Sequence, residues 1–223
     1  MKLIEHPDRE ALTLAVAQDI TDALGMALNT CEQAVLCLPG GSTPVPVFKA
    51  LSAARLDWDR VLVVPGDERW VPGDHPRSNA RLIRRNLIDE GAVAARLVDL
   101  YDETLDPEAG AAAAAERIAP LLPLSVLLLG MGEDGHTASL FPGAEGLAAA
   151  LDPAAPAVLP IGADAAGEPR VTLTLPALAS APEAFLMITG PDKRAALERV
   201  ATLTPEEAPI RAFWKDLVVH WAE

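Results

Sequence analysis

The chain has 223 residues, 50% of them hydrophobic and 22% charged, a balance typical of globular proteins that excludes disordered and fibrous classes. A chain of this length buries roughly 70% of its unfolded surface, so it needs neither disulfides nor a structural metal, and one α/β domain over residues 1–223 is expected. The net charge of −14 repels polyanions, which sets nucleic acid and anionic membranes aside as partners.

The first twenty residues carry Glu5, Asp8, Arg9 and Glu10 where a secretory leader would be uniformly apolar. The longest apolar run, residues 124–131, is far short of the ~20 residues that span a bilayer. A cytoplasmic location is therefore expected. Behind Asp8 as N-cap, residues 8–28 place Leu12, Val16, Ile20 and Leu24 at four-residue spacing, which predicts an amphipathic helix packed on a sheet. Cys31 and Cys37 lack a second pair to complete a zinc site and read as buried, reduced thiols.

Short apolar runs at 34–38, 61–64, 126–129 and 185–189 each end at Gly or Pro and precede a helix-like segment. Such runs, with no polar alternation, predict parallel strands buried on both faces, in a doubly wound, mostly parallel sheet with helices on both faces. Helices are expected over 80–88 and 108–118, and further strands near 96–100, 171–175 and 217–221. Residues 144–167, rich in Ala, Pro and Gly without a period, read as a surface excursion.

In such sheets ligands bind beyond the carboxyl ends of the strands, so the turns after the apolar runs carry the functional information. The turn Gly40-Gly41-Ser42-Thr43 lets backbone approach a ligand closely beside a helix N-terminus, as a phosphate cradle does. The alternative is a plain strand-to-helix turn with Ser42 or Thr43 as N-cap. Asp67-Glu68-Arg69 packs three charges at a strand end, and the Arg69 fork suits a phosphate or a developing oxyanion.

The turn from Gly130 to Pro142 spells GxGxxG, but it lies mid-chain and its variable positions include two carboxylates that would face a pyrophosphate, against a dinucleotide. Its glycines are better read as a frame that presents Asp134 and His136, an imidazole suited to general-base work near neutral pH. Lys193 falls in the first turn of a helix, where a cation is mildly unfavourable; it makes sense if lysine and helix end act together on an anion, the alternative being an exposed lysine tolerated at small cost.

In this order, LPGGSTP, DERWVPxDHxxSN, GMGxDGHTASLFPG, RVTLT and ITGPDK resemble the 6-phosphogluconolactonase family. The resemblance implies a Rossmann-like sheet, shared with glucosamine-6-phosphate deaminases and ribose-5-phosphate isomerases. It also implies hydrolysis of 6-phosphogluconolactone to 6-phosphogluconate in the pentose phosphate pathway, without metal or organic cofactor. By that likeness His136 is the catalytic base and Asp134 its neighbouring carboxylate. Gly40, Gly41, Ser42, Thr43, Arg69, Arg170 and Lys193 would surround the phosphate and lactone. The expected partner is the phosphorylated sugar lactone, bound by a monomer or a homodimer. Two competitors remain. A deaminase or isomerase would use Asp67 as enediol-forming base, but its histidine turn carries a glutamate where this chain has Phe141. A non-catalytic sugar-phosphate sensor would have no use for His136 in its glycine frame.

Overall fold

The computed structural model describes residues 1–162 and 167–223. Seven parallel strands form the main sheet: β1 (Lys2–Glu5), β2 (Ala34–Leu38), β3 (Val61–Pro65), β5 (Arg96–Leu97), β6 (Val126–Leu129), β9 (Glu183–Thr189) and β10 (Val218–Ala222). Their order is β1-β10-β9-β6-β2-β3-β5. From β2 the chain steps outward through β3 to β5, then returns to the other side of β2 and builds β6, β9 and β10. The order reverses between β2 and β6. This is the expected doubly wound arrangement, and it puts a crevice at the carboxyl ends of those two strands.

The strands are apolar throughout because both faces are covered. Leu36, Leu38, Val63, Leu128 and Met187 pack in one apolar cluster with α1 (Arg9–Thr30), α2 (Val45–Ser52) and α3 (Asn79–Ile83). The alternate residues Val35, Cys37, Val64, Leu127, Leu129 and Ile188 belong to a second cluster with α4 (Pro107–Ile118), α5 (Leu147–Leu151), α6 (Leu175–Leu178) and α7 (Pro191–Val200). The period of two is present, but both phases are hydrophobic.

Asp8 caps α1 as predicted, accepting from the Ala11 N–H at 2.8 Å. By length and composition α1 could cross a membrane, yet Leu12, Val16, Ile20 and Leu24 are buried against the sheet. Cys37 is buried as expected, whereas Cys31 is exposed. It follows the last turn of α1, with the Arg60 guanidinium donating to its carbonyl and to those of Leu28 and Glu32. That end of the helix needs its carbonyls satisfied, and the Arg60 guanidinium does this.

A second sheet, absent from the sequence reading, joins β4 (Asp67–Arg69), β8 (Arg170–Leu173) and β7 (Val158–Ile161) in antiparallel order β4-β8-β7. The strand expected near 171–175 is therefore part of this sheet, not of the parallel one. Residues 144–167 are not a bare excursion, since they supply α5 and β7; residues 163–166 of that stretch lie outside the described residues. Trp70, just past β4, docks on α4 where Gly110 leaves room, since a Cβ there would meet the indole at 1.9 Å.

Candidate active site

At the switch point opens a crevice of about 300 Å³, walled by the turn after β2, Asp67 and Arg69 of β4, Gly130 to Gly132 after β6, and the end of β9. The four turns singled out in the sequence all reach it. Pro39, Gly40, Gly41, Thr43 and Pro44 form one wall. No side chain caps α2, so neither Ser42 nor Thr43 serves as N-cap; the Val45 N–H donates to the Ser42 carbonyl at 3.3 Å and Pro46 has no N–H to offer. Ser42 is exposed and is not part of the wall. Gly40 lies against Asn79, whose Oδ1 would stand 2.0 Å from a Cβ built there.

The charges at 67–69 are ordered by their partners. Glu68 is fully buried, and its carboxylate accepts from the backbone N–H groups of Arg69, Asn79 and Ala80 and from the Ser78 hydroxyl, at 2.7–3.0 Å. Burial pushes its carboxyl above the ordinary range, against these four bonds. Glu68 thus fastens the start of α3 to β4 and does not reach the crevice. Asp67 does reach it, with Oδ1 accepting from Asn79 Nδ2 at 3.0 Å and Oδ2 accepting from the buried Ser139 hydroxyl.

His136 forms another part of the wall. Its Nδ1 lies 2.6 Å from Asp134 Oδ1, which also accepts the His136 backbone N–H at 3.2 Å. A carboxylate on Nδ1 fixes the tautomer, with the proton on Nδ1 and the lone pair on Nε2. Burial would raise the Asp134 carboxyl, but the hydrogen bonds and charge of His136 outweigh it and hold the carboxyl below the usual range. Asp134 is half-exposed and outside the wall, so it reaches the crevice only through His136. Gly132 is needed for close approach: a Cβ there would stand 2.1 Å from His136 Nδ1 and 2.4 Å from Asp134 Oδ1. The Phe141 ring lies 4.4 Å from the imidazole on one side and 5.4 Å from the Arg170 guanidinium on the other.

Three cations line the crevice: Arg69, Arg170 and Lys193. Arg69 and Arg170 are directly paired across β4 and β8, so both side chains leave the same face of the small sheet. Like charges in that position repel unless an anion lies between them. Arg69 donates to the Arg77 carbonyl at 2.6 Å and Arg170 lies 3.5 Å from Asp67, yet the Nε of each is buried without a partner among the described residues. Burial holds the Arg170 guanidinium below its ordinary range, and Arg69 adds to this, while Asp67 opposes it. Lys193, in the first turn of α7, donates from Nζ to the Met131 carbonyl at 2.9 Å.

Asn79, Ser139 and Thr189 entered no list of site residues read from the sequence. All three lie within the motifs that carry the family resemblance, but their bearing on the crevice depends on neighbours from other segments, as with Gly40 beside Asn79 and Asp67 beside Ser139.

The family described as glucosamine-6-phosphate isomerases/6-phosphogluconolactonase matches residues 7–221. A 6-phosphogluconolactonase of Mesorhizobium japonicum is 48% identical over 97% of this chain and 93% of its own length. A second, from Rhizobium meliloti, is 43% identical over 100% and 98%. The crystal structure of a 6-phosphogluconolactonase from Shewanella baltica superposes with a TM-score of 0.95 at 32% identity, covering 100% of this chain and 98% of that one. With sheet order, crevice and full-length similarity in agreement, the chain belongs to the glucosamine-6-phosphate isomerase/6-phosphogluconolactonase family.

Proposed function

We propose that this chain hydrolyses 6-phosphogluconolactone to 6-phosphogluconate, a step of the oxidative pentose phosphate pathway, with His136 as general base. The observation that carries this reading is the Asp134–His136 pair, its Nε2 lone pair left for the crevice that Arg69, Arg170 and Lys193 make positive. A lactone is an activated ester and needs a water, a base and an oxyanion donor. His136 Nε2 takes a proton as the water oxygen bonds to the lactone carbonyl carbon. The resulting oxyanion faces the unpartnered Nε–H of Arg69 or Arg170. Collapse breaks the bond to the ring oxygen, which recovers the proton from the imidazolium. The phosphate docks between the Gly40–Thr43 turn and Lys193, where the backbone of a glycine turn and a cation coincide.

Asp67 discriminates against deaminase or isomerase chemistry. Both of its carboxylate oxygens accept hydrogen bonds, and Phe141 packs against His136 at the position where the deaminase motif would carry a glutamate. On this reading residues 1–223 work as one domain, since a single apolar cluster runs from Leu127 and Leu129 of the parallel sheet to Val158 and Val171 of the small one. Two free thiols suit a reducing, cytoplasmic compartment.

The direct test is turnover of 6-phosphogluconolactone above its spontaneous hydrolysis, beside ammonia release from an amino sugar phosphate. Lactone turnover without ammonia is expected, and the reverse pattern would overturn the reading. Lys193→Ala should raise KM by about tenfold or more with kcat nearly held, as loss of one charge-assisted contact predicts. An unchanged KM would move the phosphate elsewhere. Arg69→Lys keeps the charge and loses the fork, so a fall in kcat at constant KM is expected if Arg69 serves the oxyanion. Full activity would remove Arg69 from the reacting centre.

A further inference from the structure

Lys193 can serve an anion only if its helix is held at a fixed angle to the crevice, and the last strand of the chain supplies that hold. α7 begins at Gly190, with φ 85° and ψ 161°. The Gly190 N–H donates to the Ala222 carbonyl at 2.8 Å. Its carbonyl receives the first helical bond, a long one of 3.3 Å from the Arg194 N–H, and also the indole Nε1–H of Trp221 at 2.9 Å. The Trp221 ring in turn lies 5.4 Å from the guanidinium of Arg194, the residue after Lys193, and that guanidinium bonds Glu5 of β1 and Glu198 of α7. Trp221 is not in the wall of the crevice; its indole N–H acts on the start of α7, while its backbone pairs with the crevice-lining Ile188 of β9, a pairing that does not depend on the side chain.

We infer that Trp221 is a positioning residue for substrate binding: its indole N–H, on the Gly190 carbonyl, sets the start of α7 and with it the Lys193 ammonium. Without that donor the Gly190 carbonyl keeps only the long bond to Arg194, and the first turn of α7 can pivot. Lys193 also spans to the Met131 carbonyl in the glycine turn before His136, so a pivot withdraws the cation from the crevice but leaves the His136–Asp134 pair untouched.

The inference rests on the reading of Lys193 as the phosphate contact, and the test separates the two. Trp221→Phe keeps a ring beneath Arg194 and removes only the N–H donor. It should raise KM for 6-phosphogluconolactone, and the inhibition constant of 6-phosphogluconate, by about 3- to 10-fold, the range for one hydrogen bond, with kcat within about twofold. In a Lys193→Ala background the same change should leave KM within about 1.5-fold, because the group it positions is gone. KM does not depend on the fraction of molecules folded, so the readout survives a loss of stability. If Lys193→Ala raises KM but Trp221→Phe does not, or the two factors multiply in the double variant, the positioning role is wrong and the phosphate assignment stands. If Lys193→Ala itself leaves KM unchanged, both fall.

Discussion

His136→Ala is expected to lower kcat for lactone hydrolysis by about 100- to 10,000-fold, the usual worth of a general base, with the fold retained and KM changed little. The imidazole is held on two sides, by Asp134 at 2.6 Å on Nδ1 and by the Phe141 ring at 4.4 Å, and Gly132 leaves the room that this packing requires. Its removal therefore deletes one group without disturbing the phosphate end of the crevice. Because His136 holds the Asp134 carboxyl below the usual range, the carboxylate stays charged through neutral and mildly acidic pH and keeps Nδ1 protonated. The wild-type rate should fall on the acid side as Nε2 takes a proton, and that limb should vanish in His136→Ala. The measurement is a pH series of kcat/KM with spontaneous hydrolysis subtracted at each point. A variant that hydrolyses at the wild-type rate would sink the mechanism, as would a covalent adduct found by mass after a rapid quench of the wild type.

Acid should destabilise the wild-type fold through His220, by about 3 kcal/mol between pH 6.5 and pH 4. His220 is 1% exposed in β10, its Nδ1 hydrogen-bonded to His6 Nε2 at 3.0 Å with the two rings nearly coplanar, and it is set edge-on to Phe185. Burial, with His6 and Lys2 adding to it, lowers its pKa from 6.5 to about 4. The Asp19 carboxylate stands 3.3 Å from Nε2, where its charge would favour the imidazolium, but Nε2 makes no hydrogen bond among the described residues, so burial governs. Below pH 6.5 the unfolded chain takes a proton on this ring that the folded chain refuses. Stability is therefore intact above 6.5, declines through the interval and loses nothing more from this group below about 4. At 1.36 kcal/mol per pH unit the fall is worth about 3 kcal/mol. Carboxylates titrate in the same window, so the informative quantity is the stability of wild type minus that of His220→Phe, from denaturant melts at pH 7, 5.5 and 4. A difference that shrinks by about 3 kcal/mol toward pH 4 is expected. A difference independent of pH would show that His220 is not held neutral.

The strands at 34–38 and 126–129 were legible to the residue, because burial on both faces leaves an uninterrupted apolar run that only a central parallel strand explains. β1 was not legible. Lys2–Glu5 is a four-residue edge strand with a charge at each end, and it exists because β10, from the opposite end of the chain, pairs with it. β4 read as a charged turn for a similar reason: Asp67, Glu68 and Arg69 extend as a strand only because β8, about a hundred residues later, is there to pair with.

The same division runs through the site. The glycines at 40, 41, 130, 132 and 135, the pair Asp134 and His136, and the isolated Lys193 stood out locally, because a glycine or a charge directly after a buried strand has a cost that sequence neighbours do not offset. What the tertiary structure alone decided is the set of relations between those turns. Arg69 faces Arg170 because of a strand register, Asp67 is occupied because Asn79 and Ser139 converge on it from two other segments, and the start of α7 is gripped by Trp221 from the last strand. Composition and periodicity report what a residue needs from its own few neighbours. Hydrogen bonds and charge pairs between segments 70 to 100 residues apart are set by how the sheet is wound, and no local pattern carries that information.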